Sequence, residues 1–169
     1  MDVETAIRTR RTHKAFGPEP LERAEIEDLL ELARWAPNHH LTAPWRFRVV
    51  GPETLARLKE AAGPERALKL DRAPTLIVAS AELSGDPLQD EEDLHATAVA
   101  SYIVLLAAHA RGLAGYWRTP EELRSERGRE VAGLGPSERF VGLLHLGRRR
   151  QEREPPERPP VERTAVFLP

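Results

Sequence analysis

The 169-residue chain contains no cysteine. That absence removes disulfides, cysteine-held iron–sulfur clusters and thiolate zinc sites. Lysine is scarce, occurring only at Lys14, Lys59 and Lys69, so the basic charge is nearly all arginine. Neither sign of charge dominates: 25 basic and 27 acidic residues leave a net charge of −2. Such a balance argues against general affinity for nucleic acid or an anionic membrane, although a local arginine cluster can still hold a phosphate. Long apolar runs are missing too. The longest uncharged stretch, Ala96–Ala110, includes Thr97, Ser101 and His109 and falls short of the ~20 apolar residues of a membrane span. The opening "MDVETAIRTRR" has no apolar stretch of signal-peptide type, and a soluble, cytoplasmic protein is expected.

The familiar nucleotide signatures are also absent. "GLGPSE" at 133–138 begins like a dinucleotide loop but lacks the glycine at its sixth position, contains Pro136 and follows a helical segment. No phosphate-binding loop of the Gly-Lys-Ser/Thr type occurs, and no serine has a Gly-x-Ser-x-Gly setting. His39 and His40 are adjacent, whereas helical metal pairs sit four residues apart. His13, His95, His109 and His145 offer no such spacing either, so no metal site is expected.

What is present reads as one α+β domain over residues 1–169, with a small central mixed sheet and helices on both sides. Residues 3–9 form a short helix capped by Asp2. Ile26, Leu29, Leu30 and Ala33 repeat at helical spacing until Pro37 ends that helix. Strands are expected at 47–50, 75–80 and 139–147, and helices at 53–62, 65–71, 92–111 and 121–131. The 92–111 helix is apolar around most of its surface, so it is buried on more than one side, in a core or a subunit interface. After residue 148 the composition turns charged and proline-rich and ends in "AVFL". It reads either as a disordered tail or as an arm that adds a strand to another subunit.

Two segments carry chemistry. "RTRRTHKAFG" at 8–17 gathers cations and a hydroxyl at a helix end, which is either a solvated charge run or a phosphate site. "LELARWAPNHHLTAPWRFRVVG" at 30–51 runs a helix into a proline, two histidines and a Pro-Trp pair before a strand. With "GLAGYWRT" at 112–119 and "VGLLHLG" at 141–147, they follow one another in an order and spacing that resemble the FMN-dependent NAD(P)H nitroreductase family, in its short single-domain bacterial subgroup.

The resemblance implies a homodimer with FMN at the subunit interface, a long central helix in that interface, and a C-terminal arm (about 148–169) exchanged with the partner. It implies that NADH or NADPH supplies hydride through the flavin to a nitroaromatic, quinone or similar acceptor. On this view Arg10, Arg11, Thr12 and Lys14 hold the phosphate, ribityl and pyrimidine parts of FMN. Trp35, Pro37, Asn38 and His39 approach the flavin from the other subunit, Trp117, Arg118 and Thr119 line the cofactor site, and Arg158 adds to the phosphate end. Lys14 and His39 are the candidates for catalysis, and the proton for the product comes from His39, from His40 or from water alone. Asn38, Leu41 and Ala43 stand where the family has Ser, Asn and Gln, so the departures fall on substrate recognition. Dehydrogenation or dehalogenation on the same fold, or a non-catalytic dimeric flavin-binding module, are the alternatives.

Overall fold

The fold places three layers around a four-stranded sheet. The structure, a computed structural model, describes residues 1–152 and 154–169; Arg153, within the expected arm, lies outside the described residues. The helices are α1 (Val3–Thr9), α2 (Arg23–Ala33), α3 (Pro52–Ala62), α4 (Pro64–Leu70), α5 (Pro87–Ala110) and α6 (Glu126–Val131). The strands are β1 (Trp45–Val49), β2 (Thr75–Glu82), β3 (Leu113–Arg118) and β4 (Glu138–Arg148), in the spatial order β1-β2-β4-β3. All four pair antiparallel. Among the described residues, the parallel component of the expected mixed sheet is confined to one isolated bridge, Thr12 with Gly115.

The sheet buries both faces. On one side Ile77, Leu144 and Leu146 meet Ile26 and Leu29 of α2 and Ala100, Val104 and Leu105 of α5. On the other, Leu76, Val78 and Leu143 meet Leu58, Leu70 and Val131 of α3, α4 and α6. β2 is therefore buried along almost its whole length, with an apolar run from Leu76 to Ala79, as suits a central strand covered on both faces.

Several boundaries differ from the sequence reading, each for a local reason. The expected 121–131 helix is broken at Ser125. Glu121–Arg124 form a 3-10 turn, and the Ser125 hydroxyl then caps α6 by accepting from the Gly128 amide at 3.1 Å. A Cβ at Gly128 would lie 1.8 Å from the Glu122 carbonyl oxygen, so the break depends on glycine. α5 starts at Pro87, five residues before the expected residue 92, because Asp86 caps it ahead of a proline in the first turn. α2 stops at Ala33, ahead of Pro37. β3 is a strand beyond the three expected ones, formed by the short, glycine-containing "LAGYWR".

α5 is long enough to cross a bilayer, but half of its most apolar window is buried inside the protein. Asp93, Thr97, Ser101 and His109 are among its buried residues, as suits a core helix. Its second face, with Val99, Tyr102, Ile103 and Leu106, stays partly open.

Candidate functional site

The chain leaving α1 runs beside β3. Thr12 bridges Gly115, and the His13 amide donates to the Gly115 carbonyl at 3.0 Å, which fixes the preceding arginines against the sheet edge. Arg10, Arg11, Thr12, Glu154, Pro156 and Arg158 line a cavity of about 280 Å³. The start of the C-terminal arm thus folds over the residues the sequence singled out, and Arg158 joins them.

Arg11 is the centre of this cavity. It is buried, and its Nη1 donates to the carbonyls of Arg8 at 2.8 Å and Arg10 at 2.5 Å. Its Nε and Nη2 are buried without a hydrogen-bond partner among the described residues. Burial, then the charges of Arg158 and Arg10, push the Arg11 pKa below its ordinary value, and Glu154 opposes this only in part. Unpaired buried cation donors are costly, and a di-anionic phosphate supplies both the missing acceptors and the missing charge. Arg10 also lies over the Tyr102 ring of α5, 5.5 Å from its centroid. Lys14 is exposed.

Behind the cavity, His109 near the end of α5 ties three segments together. The Thr9 hydroxyl donates to the Thr5 carbonyl at 2.5 Å, so His109 Nε2, 2.9 Å away, carries the proton and donates to Thr9. Its Nδ1 then accepts from Arg149 Nη2 at 3.3 Å. Burial and the neighbouring Arg149 lower its pKa, which keeps this neutral tautomer.

The loop after α2 is built differently. His40, Leu41 and Ala43 all have positive φ (53°, 55° and 45°), a conformation that costs a non-glycine residue about 1–3 kcal/mol. The Asn38 side chain braces it, donating to the Ala36 carbonyl at 3.1 Å and accepting from the Ala43 amide at 2.9 Å. Thr42 Oγ1 donates to the buried Asp93 at 2.6 Å, and His39 Nδ1 lies 2.6 Å from Glu92 Oε2. The His39 and His40 rings stack at 3.9 Å. Trp35 and Pro37 are exposed beside them, while Trp45 packs against the α2–α5 core.

The third group sits at the far end of β3. Trp117 is half-buried, packs against Gly142 and donates through Nε1 to the Val141 carbonyl at 3.3 Å. A Cβ at position 142 would fall 2.1 Å from that nitrogen, so only glycine admits the ring. Arg118 donates to the Lys69 carbonyl at 3.2 Å, and Thr119 is exposed. One chain therefore brings together Arg10, Arg11, Thr12 and Arg158, and holds 35–39 and 117–119 outside the cavity those residues line. Sequence reasoning missed Glu92 and Asp93, which reach the histidine loop from more than fifty positions away and leave no local signal.

Comparison with known proteins gives the class first. A nitroreductase-like family protein of Bacillus cereus superposes with a TM-score of 0.90 at 25% identity, over 99% of this chain and 96% of that one. The FMN and NADPH-dependent nitroreductase NfnB of Sphigopyxis sp. strain HMH shares the fold, with a TM-score of 0.83 at 16% identity over the whole of both chains. In sequence, YfhC of Bacillus subtilis, provisionally named an NAD(P)H nitroreductase, is 28% identical over 92% of this chain and 88% of its own. The profile of the Nitroreductase family matches residues 7–66, which hold both the arginine segment and the histidine loop. The scaffold is that of an oxidoreductase. The chain has the fold of nitroreductase-like proteins, and its match to the family model falls on residues 7–66.

Proposed function

We propose that this chain is the single-domain protomer of a cytoplasmic homodimer that binds FMN and reduces a nitroaromatic, quinone or similar small acceptor with NADH or NADPH. The observation that carries the reading is Arg11, buried beside Arg10 and Arg158 with two guanidinium nitrogens unpartnered. That donor set fits the phosphate monoester of a mononucleotide. Thr119 lies four residues along the chain from Gly115, the partner of Thr12. At strand rise this is about 13 Å, the length scale of an extended mononucleotide.

Bound flavin supplies the hydride transfer between the nicotinamide and the acceptor. The chain's own residues bind and orient it. Arg10, Arg11, Thr12 and Arg158 hold the phosphate, and exposed Lys14 offers a point charge toward the pyrimidine end. Trp117, Arg118 and Thr119 flank the ring system, while Trp35, Pro37, Asn38 and His39 reach it from the partner. The partly open face of α5 is the dimer surface. The arm from about residue 148 continues to the partner, where its tip completes the sheet. In one chain Val166, Phe167 and Leu168 are 83, 96 and 84% exposed, and β1 is a sheet edge beside an apolar groove of Leu21, Ile26, Leu30 and Val49.

Anaerobic titration tests the reading. Purified protein supplied with FMN is expected to show a bound-flavin spectrum that bleaches with NADH or NADPH and returns on adding a quinone. Protein that takes up no FMN, or holds it without reduction by either nicotinamide, overturns it.

A further inference from the structure

The histidine loop holds three left-handed non-glycine residues and still presents Trp35 and Leu41 to solvent, 76 and 85% exposed. A backbone under strain that displays large apolar side chains is shaped by what it meets. On the reading above, it meets the cofactor site of a second copy. We propose that His39, oriented by Glu92, delivers the proton to the acceptor as it is reduced; the inference rests on that reading.

The choice of His39 over its neighbour comes from geometry. A carboxylate only accepts, so the 2.6 Å contact with Glu92 places the proton on His39 Nδ1 and leaves Nε2 as the outward nitrogen. The side chain is 57% exposed, which keeps that nitrogen reachable. Among the described residues, His40 makes no hydrogen bond that would fix its tautomer. The loop itself is pinned to the first turns of α5, because Asp93 accepts from Thr42 at 2.6 Å and from Gln89 at 3.1 Å. Glu92 and Asp93 are consecutive in α5 and therefore hold the ring and its backbone from one rigid element.

The step balances for a quinone. Two electrons and one proton reach it from NADH or NADPH, which becomes the oxidised nicotinamide. The second proton comes from Nε2–H of the His39 imidazolium, forming the bond to the quinone oxygen and leaving neutral imidazole. Solvent then reprotonates the ring at its exposed edge. His39 is the proton donor; Glu92 is a positioning residue.

The test uses the full chain loaded with FMN, with 1,4-benzoquinone as the acceptor. His39→Ala is expected to slow reoxidation by the quinone about 100-fold, a much larger loss than in reduction of the same FMN-loaded protein by NADH or NADPH. Added imidazole should restore reoxidation in proportion to its concentration, a response that a purely structural role would not give. His40→Ala should stay within about threefold of wild type, well below that effect. Nitrogen-15 spectra of the ring should show neutral His39 protonated at Nδ1, and a mixture of tautomers in Glu92→Gln. Wild-type reoxidation in His39→Ala, no rescue by imidazole, or a neutral ring protonated at Nε2 overturns the assignment while leaving the flavoprotein reading intact. Failure of the wild-type protein to take up FMN overturns both.

Discussion

Arg11 and Arg48 are both guanidinium groups drawn largely out of water, in opposite electrostatic company. Arg48 on β1 is matched by Glu138 on β4, with Nη1–Oε2 at 2.8 Å and Nη2–Oε1 at 2.5 Å, and the Ser80 hydroxyl donates to the same carboxylate at 2.5 Å. The Gly135 amide adds a further bond at 3.1 Å. Although burial raises the Glu138 pKa, Arg48, Ser80 and Gly135 outweigh it and bring the pKa down to about 2. Arg11 has only carbonyls on one nitrogen, two bare nitrogens and two neighbouring arginines. A closed network of this kind holds the sheet together. An open one is a socket, and the difference separates a structural arginine from a ligand-binding one within the same chain.

The largest effect should come from opening the closed network. Glu138→Gln leaves Arg48 without its counter-charge and is expected to cost about 3 kcal/mol of unfolding free energy, measured by urea denaturation at neutral pH, with FMN affinity unchanged. The same group sets an acid limit. Because its folded pKa lies below the ordinary carboxylate value, its contribution is complete above pH ~4.5 and is lost as pH falls toward 2, about 3 kcal/mol in all. A wild-type acid titration whose loss persists undiminished in Glu138→Gln would refute this account.

Next in size is the socket itself. Arg11→Gln should weaken FMN binding about 100-fold, roughly 2.7 kcal/mol, while leaving stability unchanged or slightly raised, since it removes an unsatisfied buried charge. Isothermal titration with FMN and with inorganic phosphate reads the first effect, and thermal unfolding reads the second. Equal affinity in the variant breaks the comparison.

His145 offers an intermediate case, a buried base that can shed its charge where arginine cannot. Burial, and then the charges of Arg118 and Arg72, press its pKa down to about 3, and neither ring nitrogen has a hydrogen-bond partner among the described residues. Its folded pKa lies below the unfolded value, so stability is lost as pH falls from about 6.5 toward 3. At pH 5 this amounts to roughly 2 kcal/mol. His145→Leu should therefore gain more in unfolding midpoint at pH 5 than at pH 7.5; equal gains would sink the explanation. The smallest effect belongs to Arg23, whose pair with Glu27 is almost fully exposed. Arg23→Gln should leave the unfolding midpoint unchanged within error.

Much of the fold was legible because its signals are local. The period of Ile26, Leu29 and Ala33, the cap at Asp2 and the apolar run 75–80 each specify an element from a few neighbouring residues. β3 was not legible, because Gly115 and the aromatic pair only make sense once β4 supplies Gly142 as the floor for Trp117. The α6 break likewise depends on the Glu122 carbonyl meeting Gly128. In the site, Arg10–Thr12 stood out as a run, and Arg158 could be added only by the resemblance. The carboxylates that hold the histidine loop are single letters in an acidic stretch, and their role appears only when α5 is laid beside it.

α5 touches the two halves of this chemistry at its two ends. Glu92 and Asp93 near its start hold the histidine loop, and His109 near its finish holds Thr9, next to the arginine socket. Its 24 residues make a rod of about 36 Å. In the proposed dimer, a two-fold axis perpendicular to these rods would stand the histidine end of one by the arginine end of the other. The helix is then a ruler shared by two active sites: one residue more or less between Asp93 and His109 would turn one end about 100° relative to the other and put both sites out of register at once.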